Sequence, residues 1–150
     1  MAGGHRNVPP HITFSTVESC NSVRIGFLLA ALNGMDVLSG DISNAYLNAP
    51  NWENVHVILG KEIFGEEFEG STAIIGRALY GFKTASAAWR DHFASAIRNG
   101  LKFTSCRGDQ DVYFKLKKKE DGTRYYAYLI IYVDDILCID FEPEITKSMI

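Results

Sequence analysis

Apolar and polar positions follow two different periods along this 150-residue chain. Trp89, Phe93 and Ile97 recur at helical spacing between Ala85 and Asn99, and Gly100 supplies the stop, which predicts a helix. Ser15-Thr16-Val17-Glu18 has the capping-box pattern, with Ser15 as cap and Glu18 three residues on. It predicts a helix to about Asn33, with Val23, Phe27 and Ala31 on one stripe and Gly34 as the stop. Farther on the period falls to two. Val112, Phe114 and Leu116 alternate with Tyr113, Lys115 and Lys117, the pattern of a strand. Asp121-Gly122 is a hairpin turn signal. It separates that strand from one expected over about Arg124 to Val133, and another follows from Ile136 to Asp140.

The rest of the chain is less periodic. Residues 1 to about 14 are polar, carry Gly3, Gly4, Pro9 and Pro10, and read as an extended lead-in. Asp36 to Ser43 reads as a strand, Asn44-Ala45-Tyr46-Leu47 as its tight continuation and Asn48-Ala49-Pro50-Asn51 as a turn. Val55 to Leu59 and Thr72 to Leu79 are further strand candidates, and residues 60–71 read as loop. Helices separated by hairpins imply an α+β fold, with helices packed on one face of an antiparallel sheet.

Composition narrows the class. With 47% hydrophobic and 22% charged residues the chain builds a core and is not disordered throughout. A net charge of −3 counts against tight autonomous binding of nucleic acid. Cys20, Cys106 and Cys138 are far apart, and no Cys-x-x-Cys pair indicates zinc. Met1-Ala2-Gly3-Gly4-His5-Arg6 is not a signal peptide, and no apolar run approaches the roughly 20 residues of a membrane span. The expectation is an intracellular protein, in a cytoplasmic particle or the nucleus, with no membrane partner.

Candidate chemistry sits at Tyr132-Val133-Asp134-Asp135. These residues stand between the apolar runs Tyr126–Ile131 and Ile136–Ile139. Adjacent carboxylates in such a setting call for compensation, for which a metal ion is suited. Asp41, at the end of the strand that begins near Asp36, is the partner that a two-metal site requires. In such sites the ions stand about 3.5–4 Å apart, one activating the attacking hydroxyl and one neutralising the leaving group. Mg²⁺ takes hard oxygen ligands and keeps waters and phosphate oxygens in its shell.

Three segments carry a family resemblance over nearly the whole chain. Gly40-Asp41-Ile42-Ser43-Asn44-Ala45-Tyr46-Leu47-Asn48-Ala49 resembles the first catalytic motif of copia-type retrotransposon reverse transcriptases. Ala78-Leu79-Tyr80-Gly81-Phe82-Lys83, followed by Ala88-Trp89, resembles the second, and Tyr132-Val133-Asp134-Asp135-Ile136-Leu137 the third. The resemblance implies a palm with partial fingers and RNA-directed DNA polymerase activity. It implies two Mg²⁺ ions, with Mn²⁺ as the alternative. Asp41 and Asp134 would be the main ligands, Asp135 a third carboxylate, and the carbonyl of Ile42 would complete a shell. Backbone N–H groups around Asn44 and Ala45 would meet the triphosphate. Tyr46 would lie under the sugar and exclude a ribose 2′-hydroxyl. Gly81 and Lys83 would lie near the incoming nucleotide and template. Implied partners are an RNA or DNA template with primer, deoxynucleoside triphosphates, and the rest of a polyprotein with integrase and RNase H.

The chain departs from the family pattern in places. Ser86 replaces the usual proline of the second motif, and is expected to start the helix as an N-cap. The family's cationic strand before Gly3-Gly4-His5 and its thumb are not in the 150 residues, so the expected domain is truncated at both ends. That supports a second reading, a catalytically silent retroelement remnant that folds and at most binds nucleic acid weakly. Simpler roles suit other residues. Asp36 is a weaker metal candidate, and Trp89 is helix core. Lys117-Lys118-Lys119 is a solvated hairpin end, Arg77 a surface arginine, and the four histidines share no ligand spacing.

Overall fold

The computed structural model describes residues 20–148, so the lead-in and the capping box at Ser15–Glu18 lie outside the described residues. In chain order the elements are α1 (Cys20–Asn33), β1 (Asp36–Asp41), α2 (Ala45–Asn48), β2 (His56–Ile58) and α3 (Lys61–Phe64). A 3₁₀ turn (Glu66–Phe68), β3 (Thr72–Ile74), α4 (Ala85–Ser95) and a π turn (Ala96–Gly100) follow. The chain ends with β4 (Thr104–Ser105), β5 (Val112–Lys118), β6 (Arg124–Tyr132), β7 (Asp135–Asp140) and α5 (Pro143–Ser148). These elements fall into two compact units, Asn44–His92 and residues 20–43 joined with 93–148.

The second of these units is built on a five-stranded sheet in the order β1-β7-β6-β5-β4, antiparallel throughout. Alternate residues point to opposite faces. One face carries Val112, Tyr128, Ile130, Leu137 and Ile139, which pack with Val23, Ala30 and Met35. The other carries Tyr113, Leu129, Ile131, Ile136 and Cys138, all buried. Helix α1 lies on the first face. α5 meets the second, where the Cys138 thiol contacts the Pro143 carbonyl oxygen and Thr146 bonds Asp140. Helices on both faces correct the expected one-faced layer. The reason is visible in β6, whose nearly unbroken apolar run Tyr125–Tyr132 suits a strand covered on both sides.

Helix α1 also corrects its expected stripe. Gly26 and Ala30 are buried, whereas Phe27 is 50% exposed and Ala31 is exposed. A Cβ on Gly26 would come within 2.8 Å of the terminal methyls of Ile130 and Ile139. Glycine is what lets the helix backbone lie this close to the sheet. The predicted stop at Gly34 holds, with φ +61 and the Met35 N–H donating to the Ala30 carbonyl, a Schellman closure.

On β5 the polar partners of the alternation also turn inward. Tyr113 is buried. Lys115 donates to the Leu101 carbonyl oxygen and stands over the Phe103 ring. Lys117 bonds Asp140, and Lys119 stacks on Phe141. Lys117 and Lys119 are therefore structural, not a solvated hairpin end. The turn at Asp121-Gly122 forms as expected, with the Asp121 carboxylate accepting from the Thr123 N–H and Gly122 at φ +90.

The unit Asn44–His92 holds an antiparallel pair, β2 with β3. Residues 60–71, expected as loop, form two exposed single turns, α3 and the 3₁₀ turn, divided by Gly65 at φ +89. The strand expected over Thr72–Leu79 is cut to three residues, with an isolated bridge between Pro50 and Arg77 beyond it. Asn44-Ala45-Tyr46-Leu47 is not a strand continuation. Asn44 adopts φ +55, a conformation asparagine tolerates, and the chain turns there into α2. Trp89 is buried helix core, as expected. Among the described residues no helix is long and apolar enough to cross a membrane.

Candidate active site

Asp41 ends β1 and lies directly opposite Asp135, the first residue of β7. Directly opposed residues share a sheet face, and their Cβ atoms typically stand about 4.5–5.5 Å apart. Tyr132 opposes Asp135 from the other side, which leaves Val133-Asp134 as a two-residue turn. The Ile42 N–H donates to the Asp134 carbonyl oxygen at 2.9 Å. That bond ties the exit of β1 to the turn and brings Asp41, Ile42, Asp134 and Asp135 to one end of the sheet. Asp41 and Asp135 are exposed and Asp134 is half-buried. Asp36 is set apart from them. It sits at the opposite end of β1, opposite Asp140, roughly 17 Å away at strand rise.

The flanking core holds this register. Ile131 and Ile136 are buried and paired, and a slip by one residue would carry Asp135 to the other face. The turn itself is strained. Val133 has φ +57, the left-handed region, in which a β-branched residue is an outlier. Two-residue hairpins favour positive φ at this position and usually place glycine there.

Among the described residues no three His, Cys, Asp or Glu side chains are gathered so as to enclose a metal ion. The three carboxylates are thus neighbours at one sheet end rather than a closed cage. Such a donor set suits an open site. Mg²⁺ is commonly held by one or two carboxylates, with water and substrate phosphate oxygens filling its octahedron.

The remaining expected residues belong to the other unit. The Tyr46 and Tyr80 rings meet at 4.5 Å between centroids, tilted by 47°. This contact brings the first and second motifs together. Ala45 is fully buried, whereas Asn44, Gly81 and Lys83 are exposed. Gly81 takes φ +95, so the turn requires glycine. Arg77 donates from Nη1 to the Asn48 carbonyl oxygen at 3.0 Å and closes the end of α2. The Ala78 N–H donates to the Ala49 carbonyl oxygen at 3.1 Å. Helix α4 starts at Ala85 and the Thr84 carbonyl oxygen accepts from the Ala88 N–H, so Thr84, not Ser86, takes the cap position.

Among the buried acids, Glu53 and Asp140 were not singled out by the sequence. Glu53 is 5% exposed and accepts from Thr84. Asp140 is fully buried. It accepts from Lys117, from Thr146 at 2.6 Å, from the Tyr125 hydroxyl at 2.9 Å and from the Phe141 N–H at 2.8 Å. Burial pushes its carboxyl up, but the bonds from Lys117, Thr146 and Tyr125 and the lysine charge outweigh burial and hold it below the usual 3.8. Burial, then the bond to Asp140, pushes Tyr125 up to about 12. Burial likewise pushes the Cys138 thiol up to about 11. The alternation Ile136, Cys138, Asp140 did carry a signal, since it aims Asp140 at a covered face. Glu53 had none, being one acid in an aperiodic stretch.

The family described as Reverse transcriptase (RNA-dependent DNA polymerase) matches residues 3–149. The chain is 24% identical over 136 residues to the Retrovirus-related Pol polyprotein from transposon RE1 of Arabidopsis thaliana, covering 91% of this chain and 9% of that protein. It is 28% identical over 134 residues to the Retrovirus-related Pol polyprotein from transposon TNT 1-94 of Nicotiana tabacum, covering 84% of this chain and 9% of that protein. The chain thus spans about a tenth of the length of these relatives. No solved structure matches it. With all but the outermost residues matched, and the three motifs in order, the chain belongs to the reverse transcriptase family, among its copia-type members.

Proposed function

We propose that the chain is the palm, with part of the fingers, of an RNA-directed DNA polymerase that extends a primer with deoxynucleoside triphosphates. The observation that carries this reading is the pairing of Asp41 with Asp135, with Asp134 on the adjoining turn. In the reaction the primer 3′-oxygen bonds to the α-phosphorus, its proton leaves, and the bond to the departing pyrophosphate breaks.

Asp41, Asp134 and Asp135 are assigned to hold the divalent cations that the family generally uses, two Mg²⁺ ions with Mn²⁺ as substitute, with the Ile42 carbonyl as a further oxygen donor. When bound, such ions lower the pKa of an attacking hydroxyl and neutralise phosphate charge. Asn44 and Ala45 are assigned to offer backbone N–H groups to the triphosphate. Tyr46, braced by Tyr80, is assigned to close the space that a ribose 2′-hydroxyl would need. Gly81 and Lys83 are assigned to the side of the incoming nucleotide and template. Template with primer, deoxynucleotides and the rest of a Pol polyprotein are the proposed partners.

Extension that requires a divalent cation and is lost in Asp41→Asn supports this reading. Cation-independent extension, or full activity of Asp41→Asn, overturns it.

A further inference from the structure

We infer that Glu53 is a positioning residue for the Tyr80–Thr84 turn, setting the affinity for the incoming nucleotide without touching it. The inference rests on the polymerase reading above.

Glu53 is a buried carboxylate that the reaction does not use. Its Oε1 accepts from the Thr84 backbone N–H and from Thr84 Oγ1, both at 2.9 Å. Thr84 is itself fully buried. Glu53 is held in turn by its own backbone. Its N–H donates to Asn51 Oδ1 at 3.0 Å, and its carbonyl oxygen accepts from Asn51 Nδ2 at 2.7 Å. Asn51 Nδ2 also donates to the Ile75 carbonyl oxygen at 2.9 Å. A continuous line of bonds therefore runs from Ile75, just beyond β3, through Asn51 and Glu53 to Thr84.

Thr84 is the fixed end of a short turn. The Phe82 N–H donates to the Leu79 carbonyl oxygen at 3.1 Å, with Gly81 between them at φ +95. Phe82 is buried, and Gly81 and Lys83 on either side are exposed. Taking a carboxylate out of water is costly unless hydrogen bonds compensate it. An apolar side chain of similar volume would fill the space at less cost. What an acceptor adds is direction, since it pins Thr84 through both of its donors. Gly81 and Lys83, both exposed, lie within three residues of that point.

The test is primer extension by the chain, with wild type, Glu53→Ala, Glu53→Gln and Asp134→Asn compared at saturating primer–template. Glu53→Ala is expected to raise KM for the deoxynucleotide at least about fivefold while kcat changes less than about twofold, the mark of lost uniform binding. Glu53→Gln keeps an acceptor oxygen and is expected to restore KM to within about twofold of wild type. An unchanged KM in Glu53→Ala, or a glutamine variant as impaired as the alanine one, overturns the inference. Should Glu53→Ala fail to fold, Thr84→Val removes one of the two donors and must raise KM about two- to threefold; an unchanged value is then fatal. Extension by Asp134→Asn at the wild-type rate would defeat the polymerase reading separately. Positioning is in that case decided by hydrogen exchange at the Thr84 amide, which Glu53→Ala must speed about tenfold or more and Glu53→Gln must not.

Discussion

Asp41 and Asp135 face each other across β1 and β7, two exposed carboxylates at the last rung of an antiparallel ladder. Like charges directly opposite on neighbouring strands destabilise a sheet by up to about 1 kcal/mol. A bound divalent cation reverses the sign of that relationship. In thermal denaturation, Mg²⁺ at ten times its dissociation constant should stabilise the wild type by about 1.4 kcal/mol. That corresponds to a rise in Tm of about 3–5 °C for a chain of this size. Asp41→Asn should lose most of the rise and, in EDTA, be at least as stable as wild type. Equal Mg²⁺ shifts in both proteins would count against the pairing as a cation site.

Val133 holds the turn beside Asp134 at φ +57. Strain of this kind costs about 1–3 kcal/mol. Glycine relieves it while giving back about 0.5–1 kcal/mol in chain entropy. Val133→Gly should therefore be more stable by about 1 kcal/mol, read as a higher urea midpoint at unchanged slope. A glycine variant less stable than wild type would show that the valine side chain contributes more than its backbone costs.

Asp140 predicts a pH dependence. Its folded carboxyl lies below the ordinary 3.8 because the bonds from Lys117, Thr146 and Tyr125 outweigh burial. As pH falls, the unfolded chain takes up this proton first. The stabilisation is present above about pH 4 and is lost as pH drops through the folded value. Asp140→Asn should cost about 3 kcal/mol at neutral pH, since it leaves Lys117 without its counter-charge. Its urea midpoint should also fall less steeply than wild type between pH 5 and about pH 3. Parallel acid limbs in the two proteins would exclude Asp140 as their source.

Much of this architecture was legible from pattern. The β5–β6–β7 meander followed from period-two alternation and Asp121-Gly122, and the carboxylate turn from two aspartates between apolar runs. Gly34 marked the end of α1, whereas α4 gives way at Ser95 to a π turn that takes in Gly100. What pattern missed has physical causes. Helix α1 is apolar on several sides, so the stripe through Phe27 was as plausible as the one through Gly26. Only the close approach to Ile130 and Ile139 decides between them. Lysines on β5 read as solvent-facing because long-range partners such as Asp140 are invisible to local periodicity. Asn44 turned the chain through a left-handed residue that a strand reading does not anticipate. Of the candidate site, Asp41 and Asp134-Asp135 were singled out from residue type and order. Tyr80 as the partner of Tyr46, and Glu53 as the partner of Thr84, come together only in the folded chain.

Template-directed extension of a labelled primer, wild type against Asp134→Asn, with Mg²⁺ and with EDTA, separates a working polymerase centre from an inert one. Metal-assisted stabilisation of transferring phosphate contributes several kcal/mol, and each 1.36 kcal/mol is tenfold in rate. Wild type is expected to extend only with the cation, and Asp134→Asn to be slower by at least about a hundredfold. Equal extension by the two proteins would contradict the polymerase reading.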